Sequence, residues 1–446
     1  MNISKRSLNI IIITIYMLTL LCGTDVFVSN EVLNGVRALF QIMLPALIVL
    51  SLLWDQRSDL KILLKDKKIL IFMIINIIWV IVTMILGISI GTQSIRGIVN
   101  FGCMLSLLYL LTNIKLNDDD RNTIIKHFVI SALICSIYGV AQYVFKINLD
   151  TLSNAKYPGI LGRINGTFYL ATLHDKYMVL IAAFAGYNLL KEGKKEYIAL
   201  FLLSGINVIL TFARAGLIAL FVVMAAYLVM ALVLKKYKEL IFPIILLIIA
   251  FLIPGFKYSF QSTSNYIYEK VKMPGFLRVK LVDNLVDSTG DEIDNMNDDS
   301  SIQFRKYYEN IGKQFVIEYP ISGIGVNNYS YIYTNQNAKE YLEDTKCLEV
   351  VEEYMYPHNG YIQLGAELGI VGMILFLGYI ICINISSYKE NKYKYFGLLL
   401  LGLFLLGNFT ESLMYNKQYM YLFIIMYGLY NNKCLVKKEN KKRKKK

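Results

Sequence analysis

The chain has 446 residues, of which 56% are hydrophobic and 18% charged, and its mean hydropathy is +0.47. Apolar runs long enough to span a membrane recur along the whole sequence, and this excludes a soluble globular enzyme. The net charge of +13 does not indicate nucleic acid, because many basic residues lie in the C-terminal tail, 431–446. This tail is interpreted as a cytoplasmic anchor that is attracted to anionic membrane lipid.

Hydropathy predicts an all-α polytopic membrane protein with about 12 transmembrane helices and one long extracytoplasmic loop. The predicted spans are 8–22, 37–53, 69–90, 96–112, 125–145, 173–190, 197–213, 215–234, 239–256, 360–385, 395–408 and 418–430. Lys and Arg are concentrated in alternate short loops, so both termini are expected in the cytoplasm. The predicted regions are a transmembrane bundle (1–256), a large extracytoplasmic loop with short helices (257–359), C-terminal transmembrane helices (360–430) and the basic cytoplasmic tail (431–446).

Arginines on the predicted outer face are the first candidates for ligand binding, because a guanidinium group matches the geometry of a phosphate. They are Arg37, Arg96, Arg163, Arg214, Arg278 and Arg305. Arg214 stands between two apolar spans with almost no loop, beside a helix N-terminus. Either it extends to lipid headgroups, or it shares a phosphate with the N–H groups of that helix.

The long outer segment contains an amphipathic pattern and then a turn. Apolar and aromatic residues at 304, 307, 308 and 311 predict a helix over 301–311, with Arg305 beside the apolar stripe. A Pro and Gly cluster at 318–329 predicts a turn after this helix.

His358 lies at the expected membrane boundary, directly before the span 360–385. A histidine can act as a general base there, because its ordinary pKa is about 6.5. Asn359 offers a hydrogen-bonding partner, and Glu367 is an ionisable residue within the first turns of the span. The alternative is an ordinary polar histidine at the surface.

Metal ligation is not predicted. The three histidines form no HxxxH pair, and the acidic stretch at 283–300 lacks the spacing of an EF-hand loop. The sequence therefore predicts no metal and no cofactor. Another span, 173–190, begins with His174, Asp175 and Lys176, whose charges are expected at its membrane boundary.

These elements resemble the O-antigen ligase and O-antigen polymerase (Wzy-type) superfamily of bacterial membrane glycosyltransferases. The resemblance extends over roughly 160–380, about half the chain. In chain order, the residues that carry it are Arg163 to Phe168, Ala213 to Gly216, Arg305 through Pro320 to Gly325, and His358-Asn359 through Gln363, Glu367 and Gly369 to Gly372.

The resemblance implies a GT-C-like, metal-independent glycosyltransferase whose donor is an oligosaccharide on undecaprenyl diphosphate. In this interpretation His358 is the catalytic base, and Arg214 and Arg305 stabilise the leaving diphosphate. The further substrate-binding residues are Arg163, Asn359, Gln363, Glu367 and Tyr356. Expected partners are the lipid-linked oligosaccharide, membrane lipid, and a chain-length regulator and flippase of the same pathway.

Several functions remain open from the sequence. A polymerase of O-antigen or capsule type extends one lipid-linked chain with another, whereas a ligase transfers the chain to a different acceptor. The excess of Lys over Arg suggests an AT-rich genome, such as that of a low-GC Gram-positive, and this favours the polymerase. The sequence also leaves open a flippase or another transporter, and a non-catalytic assembly or sensor protein. The active site is expected on the extracytoplasmic side of the cytoplasmic membrane.

Overall fold

A computed structural model describes residues 3–22, 31–57, 64, 66–147, 162–168, 170–253, 256, 260, 300–330, 332, 357–388 and 393–433. Within these ranges every regular element is helical. The α-helices are α1 (Lys5–Tyr16), α2 (Glu31–Gln56), α3 (Lys67–Leu86), α4 (Thr92–Asn113), α5 (Asp118–Phe145), α6 (Ala171–Glu192), α7 (Lys195–Leu210), α8 (Arg214–Val233), α9 (Ile241–Leu252), α10 (Ser300–Glu318), α11 (Gly360–Tyr388), α12 (Lys394–Gly407) and α13 (Lys417–Tyr430). A π-helical turn, Met17–Leu21, continues α1, and 3₁₀ turns occur at Tyr237–Leu240 and Asn328–Ser330.

Six of the described helices are long and apolar enough to cross a membrane: α2, α3, α4, α5, α8 and α11. Each predicted span overlaps a helix, so the all-helical architecture of a membrane protein is confirmed. The count of about 12 spans and the long outer loop stay predictions. Much of that loop, the acidic stretch before α10 and the tail 434–446 lie outside the described residues.

The chain divides into two compact units. Unit 1 comprises Met1–Ser131 and Phe304–Lys446, and unit 2 comprises Ala132–Gln303. These units are defined by packing, whereas the regions predicted from the sequence are defined by position relative to the membrane. That predicted division therefore stays a prediction.

Helix α13 forms the centre of unit 1. Its 14 residues measure about 21 Å, which is shorter than a hydrocarbon core of about 30 Å. All of its residues from Gln418 to Tyr430 are buried. It packs in parallel with α4, because Tyr421 Oη donates to Asn100 Oδ1 at 2.8 Å, and Asn432 Nδ2 donates to Leu111 O at 2.6 Å near the other end of both helices.

A break at Gly369 interrupts α11, with φ 69° and ψ 173°. It frees backbone groups that a continuous helix would pair internally. Ile324 N donates to Ala366 O at 2.8 Å, and Ile370 N donates to Pro320 O at 2.9 Å. The break therefore attaches the turn that follows α10 to the side of α11.

Helix α6 forms the centre of unit 2, and all of its residues from Leu173 to Leu190 are buried. Asp175 and Lys176 lie inside this unit and form an ion pair of 3.0 Å. Pairing offsets part of the cost of burying both charges. Their expected position at a membrane boundary stays a prediction.

Candidate functional site

His358 contacts a buried carboxylate. Its Nδ1 lies 3.3 Å from Oε1 of Glu411, whose side chain is 3% exposed, while the imidazole is 27% exposed. The backbone of His358 has φ 40°, in the left-handed region that few non-glycine residues adopt. Because Nδ1 faces the carboxylate, Nε2 is the nitrogen that can exchange a proton with a substrate.

The start of α11 and the turn between α12 and α13 are held together beside this pair. Gly360 N donates to Asn408 O at 2.8 Å, and Met414 N donates to Asn408 Oδ1 at 3.3 Å. Tyr361 Oη donates to Leu405 O at 2.6 Å. A side chain at position 360 would not fit, because a Cβ there would lie 2.1 Å from Asn408 Oδ1.

Asn359 acts as the N-cap of α11. Its Oδ1 accepts from the backbone N–H groups of Tyr361 at 3.1 Å and Ile362 at 3.2 Å. A cap of this kind satisfies N–H groups that have no partner within the helix. Its predicted role in substrate binding stays a prediction.

Glu367 is fully buried and binds the turn after α10. Its Oε2 accepts from Asn327 N at 2.6 Å, and its Oε1 accepts from Tyr329 N at 3.2 Å and from Gln363 Nε2 at 3.5 Å. These contacts give Glu367 a structural role. Substrate binding by Glu367 and Gln363 stays a prediction.

Helix α10 brings Arg305 into the neighbourhood of His358. The predicted amphipathic helix is confirmed and extends over Ser300–Glu318, with Tyr307 and Ile311 buried. The ring of Tyr308 lies 6.4 Å from the ring of His358, measured between centroids. Arg305 is half-buried and precedes Tyr308 by three residues, so the two share one side of α10.

In unit 2, the segment that contains Arg163 lies against the turn before α8. Arg163 Nε donates to Thr211 O at 2.7 Å, and Ile164 N donates to Leu210 O at 3.3 Å. Arg214 is the first residue of α8. The segment that contains Arg163 and the turn before α8 are therefore neighbours in the fold, although Arg163 and Thr211 are 48 residues apart in the sequence.

A carboxylate lies beside the first turn of α8. A Cβ at Gly216 would come within 2.4 Å of Asp175 Oδ2, which shows how closely the two residues approach. A negative charge at this position interacts favourably with the helix N-terminus. The sequence leaves open a phosphate at this turn, and it gives no sign that Asp175 approaches the turn.

Position 166 requires a glycine because the segment that contains Arg163 passes close to the ring of His174. Gly166 has φ 58°, and a Cβ there would lie 2.4 Å from Nδ1 of the buried His174. The other ring nitrogen of His174 lies 3.0 Å from Asn207 Oδ1, and Gly166 N donates to Gln142 Oε1 at 2.7 Å. This polar cluster fixes the segment on α5, α6 and α7.

The predicted site residues belong to both units. Unit 1 contains His358, Asn359 and Arg305, and unit 2 contains Arg163 and Arg214. Tyr356 lies outside the described residues. Among the described residues no group of three His, Cys, Asp or Glu side chains could hold a metal ion.

Sequence reasoning missed Glu411. Its only signal is an acidic residue in Thr410-Glu411-Ser412, between two predicted spans. Because 53 residues separate it from His358, the contact depends on the packing of α11 against α12.

Comparison with known proteins gives one family match. No curated protein matches the chain significantly. Residues 199–377 match the family model described as O-antigen ligase, a segment that includes Arg214, Arg305 and His358 but not Arg163 or Glu411. Members of this family are glycosyltransferase-like enzymes. The match confirms the resemblance seen in the sequence: this membrane protein carries an O-antigen ligase domain at residues 199–377, consistent with the O-antigen ligase and polymerase superfamily.

Proposed function

We propose that the chain is a polymerase of surface polysaccharide. It joins oligosaccharide repeat units carried on undecaprenyl diphosphate, on the outer side of the cytoplasmic membrane. The observation that carries this proposal is the contact of His358 with the buried Glu411, at a histidine inside the matched family segment. A histidine oriented by a carboxylate is suited to remove a proton from a hydroxyl group.

In the proposed reaction, Nε2 of His358 takes the proton of an acceptor sugar hydroxyl. The hydroxyl oxygen forms a bond to the anomeric carbon of the donor sugar, while the bond from that carbon to the diphosphate oxygen breaks. The electron pair of that bond leaves with undecaprenyl diphosphate. Glu411 holds the ring and stabilises the imidazolium that forms, so it is a positioning residue.

The leaving diphosphate gains negative charge as the bond breaks, and arginines stabilise such charge. Arg305 fits this role because α10 approaches His358 through Tyr308. Arg214 is also proposed to bind diphosphate, and Arg163, Asn359, Gln363, Glu367 and Tyr356 to contribute to substrate binding. Asp175 closely approaches Gly216 in the first turn of α8, the helix that Arg214 begins.

A ligase would use the same chemistry with a different acceptor. A gene deletion, complemented with the wild-type gene or an empty vector, separates these functions when lipid-linked intermediates are sized. For a polymerase, single repeat units accumulate on the outer leaflet of the deletion strain. Full-length lipid-linked chains would instead indicate a ligase, and repeat units retained on the inner leaflet would indicate a transporter.

The Glu411→Gln variant tests the positioning role. It keeps the shape of the side chain and removes its charge, so we expect kcat to fall about 100-fold or more, with little change in KM. Glu411→Asp should restore part of the loss. The matched control is Glu309→Gln, which removes a carboxylate paired with Lys313 on α10 at 3.7 Å and should leave kcat unchanged. Equal kcat values for Glu411→Gln and the wild type would reject the role of this pair.

A further inference from the structure

Arg214 follows a short turn that contains a strained residue. Three residues separate α7, which ends at Leu210, from α8, which begins at Arg214. One of them, Phe212, has φ 49°, in the left-handed region that is unfavourable for a residue with a side chain. Such a conformation persists only where the surrounding structure holds it in place. The position of Arg214 therefore depends on the contacts that this turn makes.

Thr211 makes the contacts within the turn. Its Oγ1 donates to Val208 O at 2.7 Å and accepts from Ala213 N at 3.4 Å. The second bond is at the long end of hydrogen-bond distances and is therefore weak. Both bonds remain within α7 and the turn, so they do not fix the turn against the rest of unit 2. That requires a contact with another segment.

The segment that contains Arg163 makes this contact. Arg163 Nε donates to Thr211 O at 2.7 Å, and Ile164 N donates to Leu210 O at 3.3 Å. The last carbonyl groups of a helix have no partner within that helix, and a guanidinium there interacts favourably with the helix dipole. Arg163 thus binds the end of α7 only three residues before Arg214.

Gln142 on α5 holds the same segment from the interior of unit 2. Its Oε1 accepts from Gly166 N at 2.7 Å, and its Nε2 donates to Asn165 Oδ1 at 2.9 Å. An amide that is hydrogen-bonded at both ends has a fixed orientation. The side chain of Gln142 is uncharged and 1% exposed, so it supports the segment and does not contact a ligand.

The chain is also held just after Arg214. A Cβ at Gly216 would come within 2.4 Å of Asp175 Oδ2, and Asp175 pairs with Lys176 at 3.0 Å. The backbone of Arg214 is therefore constrained on both sides along the chain, through Thr211 and through Gly216. A side chain that extends from a constrained backbone is preorganised, because less freedom is lost when it binds a ligand.

We infer that Gln142 and Arg163 are positioning residues, which fix Arg214 for binding the lipid diphosphate. This inference rests on the proposed function, in which Arg214 binds diphosphate. It specifies how Arg163 contributes to substrate binding, namely through Thr211 O and the turn before α8. It also gives a role to Gln142, which lies outside the matched family segment 199–377.

Binding of farnesyl diphosphate to the purified full-length chain in phosphatidylcholine nanodiscs tests the inference. We expect Gln142→Leu to weaken binding about tenfold and Arg214→Gln to weaken it at least as much. The variant with both substitutions should bind within about twofold of Arg214→Gln, because a positioning residue has no effect once the group that it positions is absent. The matched control is Ser204→Ala. Ser204 is fully buried and donates to Leu200 O at 2.6 Å within its own helix, so this variant should bind as the wild type does.

The dissociation constant of monodisperse protein separates positioning from a purely structural role, which would lower the thermal midpoint and leave affinity unchanged. Wild-type affinity in Gln142→Leu or in Arg214→Gln would overturn the inference, and so would losses that multiply in the double variant. Arg163→Gln provides a second cycle with Arg214→Gln if Gln142→Leu does not fold, and the same outcomes apply to it.

The inference and the proposed function fail in different experiments. The inference fails when the binding losses of the paired substitutions are independent. The proposed function fails when wild-type protein that binds the diphosphate forms no polymer from lipid-linked repeat units.

Discussion

Purified His358→Ala protein is expected to polymerise lipid-linked repeat units about 10² to 10⁴ times more slowly than the wild type. The reason is that the acceptor hydroxyl then loses its proton to water instead of to an imidazole oriented by Glu411. Substrate affinity should change little, because the substitution removes no charge assigned to the diphosphate. The measurement is kcat and KM from product sizing with a defined lipid-linked substrate.

His127→Ala is the matched control for this prediction. His127 is also half-buried, and its Nδ1 lies 3.1 Å from Tyr16 Oη in unit 1. We expect this variant to keep the wild-type rate. A rate for His358→Ala within a factor of about three of the wild type would remove the histidine from the mechanism.

Gly369→Ala is expected to destabilise the protein by several kcal/mol, about 3 or more. A Cβ at this position would lie 1.8 Å from Ile321 O, and φ 69° is unfavourable for any residue with a side chain. Relief of this clash separates the turn after α10 from α11. The separation exposes backbone groups that are paired in the wild type, such as Ile324 N and Ala366 O. The measurement is the membrane level of the variant and its thermal midpoint in detergent.

Gly102→Ala provides the comparison. Gly102 lies within α4, and a Cβ there would meet nothing within 4 Å. Alanine is favoured over glycine in a helix, so this variant should be as stable as the wild type or more stable. Equal stability of the two alanine variants would contradict the close packing at the α11 break.

The sequence predicts the helices of this fold well, because hydropathy and helical periodicity are properties of short segments. The predicted span 360–385 corresponds to α11, and the stripe around Tyr307 corresponds to α10. The break at Gly369 could not be derived in the same way. It depends on the turn at Pro320 to Gly325, which reaches α11 only through tertiary packing.

The candidate site is partly readable from the sequence. His358 and Arg305 stand out because they lie beside a span and on an amphipathic helix. Glu411 does not stand out, since its significance arises from a contact with a residue 53 positions away. Glu367 is the opposite case. An ionisable residue within an apolar segment predicts a function, but the contacts of Glu367 with Asn327 and Tyr329 give it a structural role.

The most direct test of the proposed function uses the purified full-length chain in liposomes with one synthetic substrate, a single repeat unit on undecaprenyl diphosphate. The products are separated by size. A ladder of lipid-linked chains with two or more repeats, formed by the wild type and lost in His358→Ala, is the predicted result. No product longer than one repeat, from wild-type protein that binds the substrate, would contradict the assignment as a polymerase.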